Sequence, residues 1–172
     1  MYLYTPPGYD KSSEKYPVLY LLHGGGEDQR GWATQGRTDL ILDNLIAEQK
    51  AKPMIIAMLD GNFYGNGGGV AGFGEQQLRA FENELKNGAI PFVEGNFRAE
   101  TDAKNRALAG LSMGGLQTLY AGIKNTAMFS SLGVFSSGWW ANNTKLSDPQ
   151  YEFMKNNASA INGNLKNFWI SM

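Results

Sequence analysis

The chain has 172 residues, 42% hydrophobic and 12% aromatic, enough for one domain with a sizeable core. Fifteen Lys and Arg offset sixteen Asp and Glu, a net charge of −1 with no long run of either sign, which excludes an electrostatic footprint for nucleic acid or an anionic membrane. With no cysteine, neither a disulfide framework nor a thiolate metal site can form, and with a single histidine a zinc site is not expected, nor is any other metal or cofactor.

Met1 to Thr5 alternates as a strand and stops at the turn signal Pro6-Pro7-Gly8. Tyr16 to Leu22 is a continuous apolar run, the mark of a strand buried on both faces of a parallel sheet, and it leads directly into His23-Gly24-Gly25-Gly26. Thr38 to Lys50 predicts an amphipathic helix with Ile41, Leu42, Leu45 and Ile46 on one face. Pro53 to Leu59 predicts a second buried strand, and a Gly-rich loop covers 61–74. Glu75 to Asn87 predicts a helix continuing past Pro91 into Phe92 and Val93. Asn105 to Leu111 predicts a strand, followed by a helix with Leu116, Leu119, Tyr120 and Ile123 at helical spacing. Ser131 to Ser136 predicts a further strand that ends in Gly138-Trp139-Trp140. A weak helix is expected near 149–161, and Asn167 to Met172 begins one more strand. Strands alternating with helices predict a parallel α/β sheet with helices on both faces. The whole of 1–172 reads as a single α/β domain, and no apolar run reaches the length of a membrane span.

The chemistry concentrates at Ala109 to Gly115. Gly110-x-Ser112-x-Gly114 is the G-x-S-x-G pattern of a nucleophile elbow, and it stands where that motif must, between a strand and a helix. A serine exposed at a strand end needs a very sharp turn, and glycines on either side remove the Cβ atoms that would collide there. Ser112 is therefore the candidate nucleophile. Acyl transfer also needs donors for the developing oxyanion. The amide of Met113, next after the nucleophile, is one candidate, and the loop His23-Gly24-Gly25-Gly26, an HGGG-type motif after the preceding strand, supplies the other. The third requirement is a base, and it is missing. The order in an α/β-hydrolase is Ser, then Asp or Glu, then His, yet His23 precedes Ser112 and is expected to brace its own loop by hydrogen bonds. Asp148, the one Asp after the elbow, reads as a turn residue before Pro149. Gly67 to Gly72 formally matches G-x-G-x-x-G but does not sit directly between a strand and a helix, and reads as a loop.

Taken together, Tyr4 to Tyr9, the strand running into His23 to Glu27 with Trp32, Asn105-Arg106 and the elbow resemble the putative-esterase family. That group includes esterase D, mycolyltransferases, and the carbohydrate esterases of the feruloyl and acetyl-xylan type, and the last are the nearest match. The resemblance implies an α/β-hydrolase fold and a serine carboxylic-ester hydrolase that removes feruloyl or acetyl groups from plant cell-wall polysaccharides. It implies Ser112 as nucleophile, the amides of Gly25 and Met113 as oxyanion hole, and Trp32, Gly138 and Trp139 at the edge of the substrate pocket. Partners are then a small-molecule or oligosaccharide ester and other catalytic or carbohydrate-binding modules of a parent protein, outside the cell or in the periplasm. Members of the family carry a strand before the position of Met1, and their Asp and His follow the strand at 167–172. The expectation is therefore an internal segment of a larger esterase, truncated before the last strand. Two alternatives stay open: a non-catalytic relative that binds carbohydrate or a partner, and an acyltransferase of the same family.

Overall fold

A computed structural model describes residues 1–63, 74–139 and 144–171; Gly67 to Gly72 and Trp140 lie outside them. Six strands are described: β1 (Tyr2–Tyr4), β2 (Val18–Leu22), β3 (Ile55–Leu59), β4 (Arg106–Leu111), β5 (Ser131–Phe135) and β6 (Asn167–Ser171). They form one sheet in the order β1-β3-β2-β4-β5-β6. Only β1 is antiparallel, against β3; the other five run parallel.

The continuous apolar runs are explained by burial on both faces. Val18, Tyr20 and Leu22 of β2 point to one side, with Ile55, Ala57 and Leu59 of β3. Helix α3 (Glu75–Glu84), helix α4 (Ile90–Asn96) and helix α5 (Met113–Lys124) cover that side through Phe81, Val93 and Ile123, with Leu85 between α3 and α4. Leu21, Ile56, Met58 and Ala109 point to the other side, under helix α1 (Gly31–Thr34) and helix α2 (Thr38–Ala47). Helix α2 is held less deeply than its pattern predicts: Leu42 is buried, but Ile41 faces solvent. Strand β6 closes the described sheet, with Phe168, Trp169 and Ile170 exposed.

Three local features depart from the sequence expectation. The helix from Glu75 does pass Pro91, but by way of a wide π-type turn at Leu85–Ala89. Proline lacks the N–H for the next helical bond and its ring presses on the carbonyl four residues back, and an inserted wide turn relieves both. The weak helix near 149–161 begins earlier and is two pieces, α6 (Thr144–Asn156) and α7 (Ala158–Asn164). Asp148 thus lies within α6, exposed, and not in a turn, even though Pro149 follows it inside the helix. Finally, α5 is buried all round, from Met113 to Ile123, and not along one stripe. It lies between the sheet and α3.

Arg106 anchors the start of β4. Nearly buried, it donates to Glu94 at 2.6 and 2.8 Å and to the Met128 carbonyl at 2.7 Å, and it also meets the Thr101 carbonyl. Tyr20 beside it has a buried hydroxyl with no partner among the described residues, and burial raises its pKa above the ordinary tyrosine value.

Close packing of α5 onto the strand ends rests on two glycines. A Cβ at Gly110 would stand 2.3 Å from the backbone of Gly114, and one at Gly114 would stand 2.6 Å from the His23 carbonyl and Leu22. Gly95, exposed in α4, has nothing within 4 Å of such an atom. Urea unfolding should therefore show Gly114→Ala losing about 1–3 kcal/mol or more, as overpacked sites do. Gly95→Ala should gain about 0.5–1 kcal/mol from helix propensity. Equal behaviour of the two would contradict the close approach.

Candidate active site

The site forms where the chain order reverses. Strands β2 and β4 are neighbours, Leu22 opposite Gly110. From β2 the chain crosses to β3 on one side, and from β4 to β5 on the other. Diverging crossovers leave a crevice beyond the carboxyl ends of the strands, where open parallel sheets bind ligands.

Ser112 stands on one side of that crevice. Its backbone adopts φ 53°, ψ −110°, a conformation that costs a non-glycine residue about 1–3 kcal/mol and persists only when its surroundings impose it. The imposition is visible: its N–H donates to the Phe135 carbonyl at 2.8 Å, its carbonyl accepts from Leu116, and Gly114 is wedged against β2. The side chain is exposed and makes no hydrogen bond among the described residues. Met113 opens α5 with its side chain buried among Leu78, Leu116, Tyr120 and Leu146.

The loop after β2 stands on the other side. His23 is fully buried. The Gly61 N–H donates to its Nε2 at 3.1 Å, so that nitrogen carries no proton; Nδ1 does, and donates to the Gly24 carbonyl at 2.7 Å. Asp60 lies 3.4 Å from Nε2. The Gly24 N–H donates to Glu27 Oε2 at 2.9 Å, and Asn62 Nδ2 donates to the Glu27 carbonyl at 2.9 Å. Gly25 is exposed, and none of the hydrogen bonds among the described residues uses its N–H.

Trp32 is half-buried on α1. Its Nε1–H donates to the Leu22 carbonyl at 2.8 Å and its ring meets Phe135 edge-on, while Trp32 and Leu111 help line a cavity of about 240 Å³. A second, polar hollow of about 390 Å³ adjoins it through Glu27, Gly31 and Gln35. There the exposed Arg30 hydrogen-bonds Asp28 and holds its carboxyl below the usual range. Gly138 has open space around it, and Trp139 packs against the cluster that contains Met113, with its ring edge-on to Tyr151. Among the described residues no cluster of His, Asp and Glu is arranged to hold a metal ion, and no helix is long and apolar enough to cross a membrane.

The structure thus brings Ser112, Met113 and the loop of Gly25 to neighbouring strand ends. Trp32 adjoins that loop, and Trp139 packs on the cluster that holds the Met113 side chain. Sequence reasoning missed Glu27, Asn62, Gln117 and Ser137. The Ser137 hydroxyl is buried without a partner among the described residues, and its Cβ lies 2.5 Å from where a Cβ on Gly115 would stand. For Gln117 a signal existed, a carboxamide between Leu116 and Leu119, the spacing that marks the apolar face of the helix.

A serine on a strained strand-to-helix turn, beside a Gly-rich loop on the adjoining parallel strand, defines a protein of the α/β-hydrolase fold. The chain belongs to the esterase family described as "Putative esterase", whose profile matches residues 1–171. It is 41% identical over 140 residues to an endo-1,4-beta-xylanase/feruloyl esterase of Xylanibacter ruminicola, a stretch covering 79% of this chain and 19% of that protein. Among solved structures it is similar to a feruloyl esterase module of Clostridium thermocellum complexed with sinapinate, with TM-score 0.72, 23% identity, and 97% of this chain against 59% of that one. It is also similar to a ferulic acid esterase of Anaeromyces mucronatus in complex with ferulic acid, with TM-score 0.66, 22% identity, and coverage of 97% and 74%. These likenesses show the fold.

The role of Trp32 in holding the strand end is open to test. Trp32→Phe removes the indole N–H given to the Leu22 carbonyl and keeps a ring against Phe135, and should lower the unfolding free energy by about 0.5–1.5 kcal/mol. Trp32→Ala, which also loses the ring contact, should lower it further. Denaturation with unchanged midpoints for both would remove the strut.

Proposed function

We propose that this chain carries the nucleophile and the oxyanion hole of a serine carboxylic-ester hydrolase that removes feruloyl or acetyl groups from plant cell-wall polysaccharides. The observation that carries the reading is the exposed Ser112 hydroxyl on a left-handed turn, on the strand next to the loop that presents Gly25. The names of the relatives support the substrate class, and the balanced surface charge fits a neutral saccharide ester.

In this reading Ser112 Oγ attacks the ester carbonyl carbon and its proton passes to a base. The carbonyl oxygen takes up negative charge, which the N–H groups of Gly25 and Met113 stabilise by donating to it. Collapse of the tetrahedral species breaks the bond to the sugar oxygen, which leaves with the proton from the base. Water then hydrolyses the acyl-enzyme by the same route in reverse. Trp32, Gly138 and Trp139 border the bound ester. His23 cannot be the base: both ring nitrogens are engaged and the ring has no access to solvent. The reading places the base, and the acidic partner that orients it, outside these 172 residues, as the family resemblance implies. The ester is met outside the cell or in the periplasm, by a protein that carries further catalytic or carbohydrate-binding modules.

In the full-length protein, Ser112→Ala should cut kcat for aryl acetates and feruloylated xylo-oligosaccharides by roughly 10⁴–10⁶-fold while the fold is kept. Turnover by a well-folded alanine variant near the wild-type rate, or a wild-type preference for long-chain triglycerides, would count against the reading.

A polypeptide of these 172 residues alone gives a second check. Having no base, it should show only the residual catalysis that binding and the oxyanion hole provide, roughly 10³–10⁴ over water. Full esterase activity from a sample of matching intact mass would return His23 to the catalytic role.

A further inference from the structure

Helix α5 is enclosed on every side, yet it carries a carboxamide inside. Gln117, one residue beyond the first full turn after Ser112, is fully buried. A buried amide is costly unless it is hydrogen-bonded; here Nε2–H donates to the Gly61 carbonyl at 2.7 Å, while Oε1 is buried with no partner among the described residues. Gly61 passes the constraint on, because its own N–H donates to His23 Nε2 at 3.1 Å. His23 completes the line with Nδ1–H to the Gly24 carbonyl at 2.7 Å. Three hydrogen bonds thus connect the interior of the helix that begins at the nucleophile to the loop after β2.

The end of that line is what gives it meaning. The Gly24 carbonyl and the Gly25 N–H belong to one planar peptide unit, and there is no cis peptide bond among the described residues. In a trans unit the carbonyl and the N–H point in opposite directions. By holding the carbonyl on one side, His23 sets the direction in which the Gly25 N–H points on the other. The other flank of Gly24 is held as well, since its N–H is taken by Glu27. Glycine has no side chain to restrict this plane, so the hydrogen bonds must do it.

We propose that Gln117 is a positioning residue: acting through Gly61 and His23, it holds the Gly24–Gly25 peptide plane so that the Gly25 amide stays aimed at the ester oxygen. The proposal rests on the reading of Gly25 as an oxyanion donor. Gly61 is part of the device because the Gln117 carboxamide lies across it. A Cβ there would stand 2.6 Å from Gln117 Oε1, and its φ is not in the left-handed region. Gly61→Ala therefore displaces the carboxamide without removing a donor.

The test uses the full-length enzyme, with 4-nitrophenyl acetate turnover and the rate of phosphorylation by diethyl 4-nitrophenyl phosphate, which also develops charge on an oxygen in the same hole. Gln117→Met should lower kcat about 10–30-fold, less than the 10²–10³-fold of deleting an oxyanion donor, with KM within about threefold. The phosphorylation rate should fall in parallel. Gly61→Ala should do the same, and the double variant should fall no further than the worse single, because both break one line. Thr118→Val is the control: it removes another buried hydrogen bond of α5, to the Gly114 carbonyl, and should keep kcat within about twofold. If Gln117→Met does not fold, Gly61→Ala alone decides. Unchanged kcat in Gly61→Ala, additive losses in the double variant, or an equal loss in Thr118→Val each overturn the proposal. Retained turnover in Ser112→Ala overturns the underlying reading instead, so the two failures are told apart.

Discussion

The contact on which this structure depends is the one between the first turn of α5 and the ends of β2 and β4. There the backbone of Gly114 lies so close to His23 and Leu22 that no Cβ fits. This packing holds Ser112 in a positive-φ turn, where the chain passes directly from β4 into a helix lying close to the sheet. The cost of that turn, about 1–3 kcal/mol, is offset by the burial of the whole helix that follows, from Met113 to Ile123. An exposed, strained serine is therefore a consequence of a well-packed helix. Strain at the site and stability in the core come from one arrangement.

Burying α5 on all sides has a second consequence. Its polar side chains have no route to water, so each needs a partner inside the protein. Thr118 finds one within the helix, at the Gly114 carbonyl. Gln117 is longer and reaches out to Gly61, in the loop after β3. The loop after β3 is fastened in turn to the loop after β2 through His23, and again through Asn62 to the Glu27 carbonyl. Three connections at the carboxyl edge of the sheet are thus tied into one body, although each leaves a different strand. Loops of glycine alone would not hold a donor in place, and these polar ties supply what glycine lacks.

Much of this was legible in the sequence, for identifiable reasons. Continuous apolar runs at β2 and β3 marked strands buried on both faces, and glycine spacing around Ser112 marked the sharp turn, because both are local requirements. The HGGG loop was legible by the same logic. What escaped was set by neighbours distant in the chain. The all-round burial of α5 depends on α3 lying over it, which no periodicity within 113–124 announces. Ile41 looked like a core residue because its spacing fits one face, yet α2 lies too shallow on the sheet to cover it. The wide turn before Pro91 follows from a clash that the sequence shows, but its resolution as a π-turn, and not as a break, depends on Leu85, Ala89 and Ile90 all finding the core. Asp148 was misplaced because Pro149 was read as a helix start when it lies within the helix.

The histidine shows how far position outweighs residue type. Its imidazole is the usual proton acceptor for a serine hydroxyl, and the chain has one. Here a backbone N–H occupies Nε2 and a backbone carbonyl takes the proton of Nδ1, both within a fully buried pocket. To accept a proton at Nε2 the ring would have to break its bond to Gly61 and release the loop that Gln117 holds. To reach Ser112 it would have to leave the loop it braces. A ring that must release this loop in order to act would lose the two backbone contacts that fix it in place. Geometry therefore assigns His23 to holding Gly24 and Gly61 in place, and leaves its ring no free nitrogen to turn toward Ser112.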